Sequence, residues 1–156
     1  MKSFPVAVLV LCALTVGGCA SGQTPQQAAA LAGRNSCAAL SAAQLAKLHL
    51  SATGDPNADA APDSGCSFNA ANPADPNLGI TFALGAHDDS ADGTKVFTVG
   101  HHTAYETTVP DVDQCEVDVA VGTDMAMIVG TGNGGPITPE CELAESAARM
   151  LEPALP

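Results

Sequence analysis

Apolar and polar positions alternate most cleanly over 115–121, where Cys115, Val117, Val119 and Val121 are separated by Glu116, Asp118 and Ala120. Successive strand side chains point to opposite faces, so this stretch is predicted to be a half-buried strand. The apolar run 125–129 follows a Gly122-Thr123-Asp124 turn and is predicted to pair back as an antiparallel hairpin. Ile80, Phe82 and Leu84 mark one face of a strand over 79–85, and 95–100 sets Val96 opposite Phe97 and Val99. Strands over 66–70 and 102–109 complete the set. The spacing turns helical near both ends of this block. Ser41 and Gln44 form a capping box, and Leu45 and Leu48 continue an apolar face, which predicts a short helix over 42–49. Thr138 as N-cap, Pro139 at the first helical position and Glu140 in the first turn open a longer helix. Cys141, Ala144, Ala148 and Leu151 recur along it, and Pro153 stops it. Residues 53–65, rich in Asp, Pro, Ala and Gly, read as a loop. Helix, strands, helix in that order predict an α+β domain: an antiparallel sheet of four to six strands with a short N-terminal and a longer C-terminal helix.

The first residues follow another pattern. Lys2 is a minimal basic start, 4–16 is an apolar run, and Val16-Gly17-Gly18-Cys19 reads as a bacterial lipobox. An apolar run of about 13 residues falls short of the roughly 20 that span a bilayer. Residues 1–18 are therefore expected to be a lipoprotein signal peptide, and Cys19 the lipidated first residue of the mature chain. Cys12 is lost with the leader. Each buried methylene of the acyl chains adds about 0.8 kcal/mol, so several chains hold a protein to the membrane durably. Residues 19–34, a Ser/Gly/Gln/Ala stretch, read as a flexible tether, and 35–156 as one extracytoplasmic domain.

Four cysteines remain in that domain: Cys37, Cys66, Cys115 and Cys141. An even count in an exported chain predicts two disulfides. Three pairings exist, and the sequential one, Cys37 with Cys66 and Cys115 with Cys141, is preferred. Each loop would contribute roughly 3.5 kcal/mol in the chain-entropy account. The spacing lacks the C-x-x-C pairs of a zinc ribbon. There is no Trp and only one Tyr, so the core is small and the bridges matter.

Charge narrows the partners. Seventeen acidic residues face five basic ones, a formal net charge of −12. Such a surface repels nucleic acid and anionic headgroups, so membrane contact is expected through the lipid alone.

The remaining signals each have a plainer account. Gly130-Thr131-Gly132-Asn133-Gly134-Gly135 matches G-x-G-x-x-G in letters. A dinucleotide fold needs a further strand after the helix and an acid about 20 residues on, whereas the sequence runs only to Pro156 and Pro136 interrupts the entry to the helix, so the stretch is expected to be a strand-to-helix loop. Asp88, Ser90, Asp92 and Gly93 fit the first half of a calcium loop, but Val99 stands where a bidentate Glu is needed. His101 and His102 are the candidates for a metal. Adjacent strand positions face opposite sides, so a shared ion is not expected; His49 and His87 are unplaced relative to them. Asp111, Asp113, Glu116 and Asp118 could converge for acid–base work, yet Glu116 and Asp118 fall on the face expected to be solvated. No nucleophile or zinc-protease motif is present, and no cofactor is expected.

These pieces together resemble the domain-of-unknown-function 3558 family, small envelope lipoproteins of high-GC Gram-positive bacteria. The resemblance is carried by the lipobox ending at Cys19, by Ser36-Cys37-Ala38-Ala39-Leu40-Ser41 with Gln44-Leu45, and by Gly65-Cys66-Ser67-Phe68. It continues through Gly100 to Ala104, Cys115-x-Val117-x-Val119, and Pro139-x-Cys141 with Ala144 and Ala147. Phe68 stands where the family often has Trp, and His101-His102 replaces a stretch that often holds Gly and Arg. The resemblance implies an exported, disulfide-bonded α+β domain and brings no activity with it. The leading expectation is a lipid-anchored, non-catalytic binding or accessory module at the outer face of the cell membrane, with an envelope protein or a small ligand as partner. The alternatives are a cell-wall-acting hydrolase using the carboxylates and a single-lobed solute-binding lipoprotein.

Overall fold

A computed structural model of the chain describes residues 30–56, 64–85 and 95–156. The expected leader, Cys12, Cys19, the first part of the expected tether, His87 and the calcium-like segment 88–93 lie outside the described residues. Alternation over 115–121 does produce the strand it predicts: β6 (Gln114–Val121) buries its odd positions Cys115, Val117, Val119 and Val121. Around it lie β1 (Asp55–Pro56), β2 (Ser64–Phe68), β3 (Asn77–Ala83), β4 (Lys95–Val99), β5 (His102–Val109) and β7 (Asp124–Thr131). They form one seven-stranded antiparallel sheet in the order β1-β2-β3-β7-β6-β5-β4. The expected four to six strands are corrected to seven among the described residues. The addition is β1, two residues within the segment expected to be a loop, paired to β2 through Asp55 with Ser67 and Pro56 with Cys66. So short a strand with a proline carries no periodicity to read, and it sits at the edge of the sheet, where proline is tolerated.

β4 to β7 form a meander, and β7, last in sequence, sits between β3 and β6 at the centre. Two hairpins are tight. Val99 pairs His102 across Gly100-His101, and Val121 pairs Asp124 across Gly122-Thr123. Gly100 and Gly122 both have positive φ, +60° and +63°, at the first turn position, where glycine is strain-free. The β6–β7 turn is thus one residue shorter than expected, and Asp124 belongs to the strand.

Two helices follow the pattern with small corrections. α1 (Ala42–Lys47) carries the predicted capping box: Ser41 Oγ accepts from the Gln44 N–H, and Gln44 Oε1 accepts from the Ser41 N–H. It ends two residues early because His49 adopts a left-handed φ of +57° and turns the chain into the Leu50–Ala70 bridge. α2 (Thr138–Leu151) starts where expected, but its cap residue is Ile137 and no side chain caps it. Thr138 is already helical. Among the described residues no helix is long and apolar enough to cross a membrane.

The helices pack on one face of the sheet. Leu143, Ala144, Ala147, Ala148 and Leu151 of α2 meet Val117, Val119, Ile128 and Ile80, while Leu45 of α1 and Leu40 join Phe68 and Phe82. The alanines of α2 let its backbone approach closely. At Gly130 the approach is closest: a Cβ there would lie 2.2 Å from the Glu140 carbonyl oxygen. Both disulfides have the preferred sequential pairing, Cys37 with Cys66 and Cys115 with Cys141. The first ties the short 3-10 turn Ser36–Ala38 to β2; the second ties the start of β6 to the first turn of α2.

The segment 30–34, expected to be tether, is part of this core. Leu31 is fully buried, and its N–H donates to Asp124 Oδ2 at 2.7 Å. The other oxygen, Oδ1, accepts from the Gly85 N–H at 2.9 Å. A wholly buried carboxylate thus clamps the N-terminal segment and the exit of β3 to the central hairpin. The Arg34 guanidinium also bonds the Ala154 carbonyl. The packed domain begins no later than residue 30, because one leucine in an alanine-rich stretch suffices to anchor it.

Candidate functional site

Three places on the domain combine polar side chains with the geometry to use them. The first is the end of the sheet where α2 begins. Gly132 leaves room for the Glu140 side chain, since a Cβ there would lie 1.8 Å from Glu140 Oε1. The glycine-rich loop is therefore a cradle for the helix start, as its reading as a strand-to-helix loop implies. Two adjoining clefts open around it. One, of about 350 Å³, is lined by Ala74, Pro76, Gly132 to Pro136, Pro139 and Glu140. The other, of about 430 Å³, lies among Lys47, Leu48, His49, Asp75, Glu142 and Ser146 and shares Pro76 and Pro139 with the first. His49 lines this second cleft.

The second place is the face of the sheet opposite the helices. The even positions of β6 lie there, with Asp118 between Tyr105 of β5 and Met127 of β7. The expected solvated acidic face is corrected for one residue: Asp118 is only 9% exposed, and its Oδ1 is buried without a hydrogen-bond partner. Burial, then the charge of Glu116, then a hydrogen bond with Glu116 push its carboxyl up to about 7. Period two, which places Glu116 and Asp118 side by side, was visible in the sequence; the lateral cover given by Tyr105 and Met127 was not. The other candidate acids do not join them. Asp111 is exposed in the 3-10 turn Pro110–Val112. Asp113 has a left-handed φ of +48°, and its carbonyl accepts from the Gly132 N–H.

The third place is the far end of α2. Here the expectation that His101 and His102 part to opposite faces fails, because His101 is a turn residue and only His102 begins β5. The turn after Gly100 folds one ring onto the other, with centroids 4.0 Å apart. Glu152, just after α2, joins them: its Oε1 lies 3.3 Å from His101 Nδ1. The carboxylate fits over Gly100, where a Cβ would come within 1.9 Å of Oε1. One ligand atom from each of the three residues lies within 4.8 Å of the others. Glu152 is not legible as a site residue in the sequence, because nothing local links residue 152 to residue 101.

A further charged group lies beneath the helix-covered edge. Lys95 bonds Glu106 at 3.1 Å and also Glu145, which Arg149 meets at 3.5 Å. Hydrogen bonding to Lys95 chiefly lowers the Glu145 carboxyl below its ordinary range, and Lys95 is raised in turn. Both cations also lie over the Phe97 ring. Every charge here has a partner, so the group reads as structural.

The model of the family described as "Protein of unknown function (DUF3558)" matches residues 14–154, nearly the whole chain. The chain belongs to that family. No curated protein and no solved structure matches it.

Proposed function

We propose that the protein is a lipid-anchored, non-catalytic binding module held at the extracytoplasmic face of the cell membrane through a lipid on Cys19. The observation that supports this reading most is covalent. Both disulfides lie inside the folded domain and consume Cys37, Cys66, Cys115 and Cys141. Paired cysteines of this kind belong to oxidising compartments outside the cytoplasm. Cys19 then stands alone after the leader, where a lipid would be attached. The adjoining clefts around Pro76 and Pro139 give such a module a concave place for a small ligand or the end of an envelope protein. Fractionation tests the reading. The wild type should sediment with membranes and the Cys19→Ala protein should appear in the medium; equal distribution of the two contradicts it.

One observation favours a second reading, a cell-wall-acting hydrolase. Asp118 keeps its proton to about pH 7 beside Glu116, which is how an acid and a carboxylate divide their roles. This reading requires that purified protein digest cell walls and that Asp118→Asn abolish the digestion. Intact walls after incubation with the wild type would end it.

A further inference from the structure

The geometry points to a divalent transition-metal site formed by His101, His102 and Glu152, with zinc as the ion whose ligand preferences it fits. His102 begins β5 beside the turn. Its ring is buried, and Nδ1 lies 3.0 Å from the Ala120 carbonyl oxygen. A carbonyl only accepts, so Nδ1 carries the proton and Nε2 presents a lone pair. That Nε2 is buried and has no hydrogen-bond partner. Leaving such an acceptor unpaired carries its full desolvation penalty, which a bound cation removes. A backbone carbonyl fixing one ring nitrogen while the other is free is also how metal-bound histidines are oriented.

The two other donors come from separate elements, and one ligand atom of each lies within 4.8 Å of a ring nitrogen of His102. His101 is exposed and can swing; Glu152 is seated over Gly100. Tetrahedral zinc with bonds of about 2.0–2.1 Å sets its donors roughly 3.3 Å apart. The spread of up to 4.8 Å therefore needs a closure of about 1.5 Å at most, within reach of the exposed His101 side chain. Two imidazoles and one carboxylate suit zinc and its neighbours better than calcium or magnesium, which prefer all-oxygen shells. Three protein donors leave a fourth position for water or for a donor from a ligand. The cysteine-containing group Glu106, Cys115 and Cys141 does not compete, since both sulfurs are in a disulfide.

The test is calorimetric titration of the tag-free, disulfide-bonded protein with zinc chloride, repeated in excess magnesium to silence the acidic surface. One zinc per chain is expected, with a rise in melting temperature. His101→Ala, an exposed change that leaves the core untouched, should weaken binding at least tenfold, and Glu152→Gln should do the same. A His49→Ala, His87→Ala double variant should bind as the wild type does. No zinc bound by the wild type, or undiminished binding by His101→Ala, overturns the site. Loss of binding in the His49→Ala, His87→Ala variant alone also overturns it, by moving the ion elsewhere.

Discussion

The two faces of the sheet handle their side chains in opposite ways. Under the helices, aliphatic residues pack against α2, and most charged groups that enter are paired, Lys95 with Glu106 and Glu145 and Asp124 with two backbone N–H groups, while Glu140 keeps one buried oxygen without a partner. On the other face two carboxylates stand side by side on β6, and one keeps its proton because it is shielded and faces a like charge. The same strand supplies both environments, alternating residue by residue. The difference shows where stability is made and where polar groups are carried at a cost.

The comparison breaks most visibly at neighbouring residues of β7. Ile128 is wholly buried against the helix face, whereas Met127 points the other way and is half-buried. Ile128→Ala should destabilise by about 2–5 kcal/mol and Met127→Ala by about 1 kcal/mol or less, read by urea unfolding. Equal losses would mean that both faces are packed alike. The covered face is also the stapled one. Replacing Cys115 and Cys141 together with serine should cost roughly 3.5 kcal/mol and lower the melting temperature accordingly.

pH separates the two faces as well. The Asp118 carboxyl is raised in the folded state, from 3.8 to about 7, so the native protein holds a proton that the unfolded chain releases. Its cost is absent below about pH 4, grows as the pH rises, and is fully in place above about pH 7. Asp118→Asn should therefore stabilise the protein at pH 8 by about 2 kcal/mol, discounted from the full shift for partial access to water, and flatten the slope between pH 4 and 7. Glu145 works in the other direction. Its carboxyl is lowered by Lys95, so its stabilisation is present at neutral pH and fades as the pH falls through the acid range. A Glu145→Gln protein should lose little at pH 7 and show less acid sensitivity than the wild type, the smallest of these effects. Unchanged pH profiles in both variants would remove the electrostatic half of the comparison.

The sequence was informative wherever a rule is local. Alternation in β6, the capping box of Ser41 and Gln44 and the Gly122 turn all act within a few residues, and the even count of four cysteines in sequential order was enough to pair them. Misreadings arose where distant residues decide. Leu31 looks like tether until Asp124, far along the chain, takes its N–H. Asp118 looks solvated until Tyr105 and Met127 are placed beside it. His101 and His102 look divided until Gly100 turns the chain and Glu152 arrives from the end of α2. β1 was hidden because two residues carry no period. Of the candidate sites, the residues were readable and their grouping was not.

The central claim, a module fastened to the membrane by its first mature residue, is tested most directly by labelling with a radioactive fatty acid in the native host. Wild type and Cys19→Ala are compared. The account predicts label on the wild type and none on the variant, whose domain is released with both disulfides intact. Equal labelling of the two, or no label on either, would contradict it.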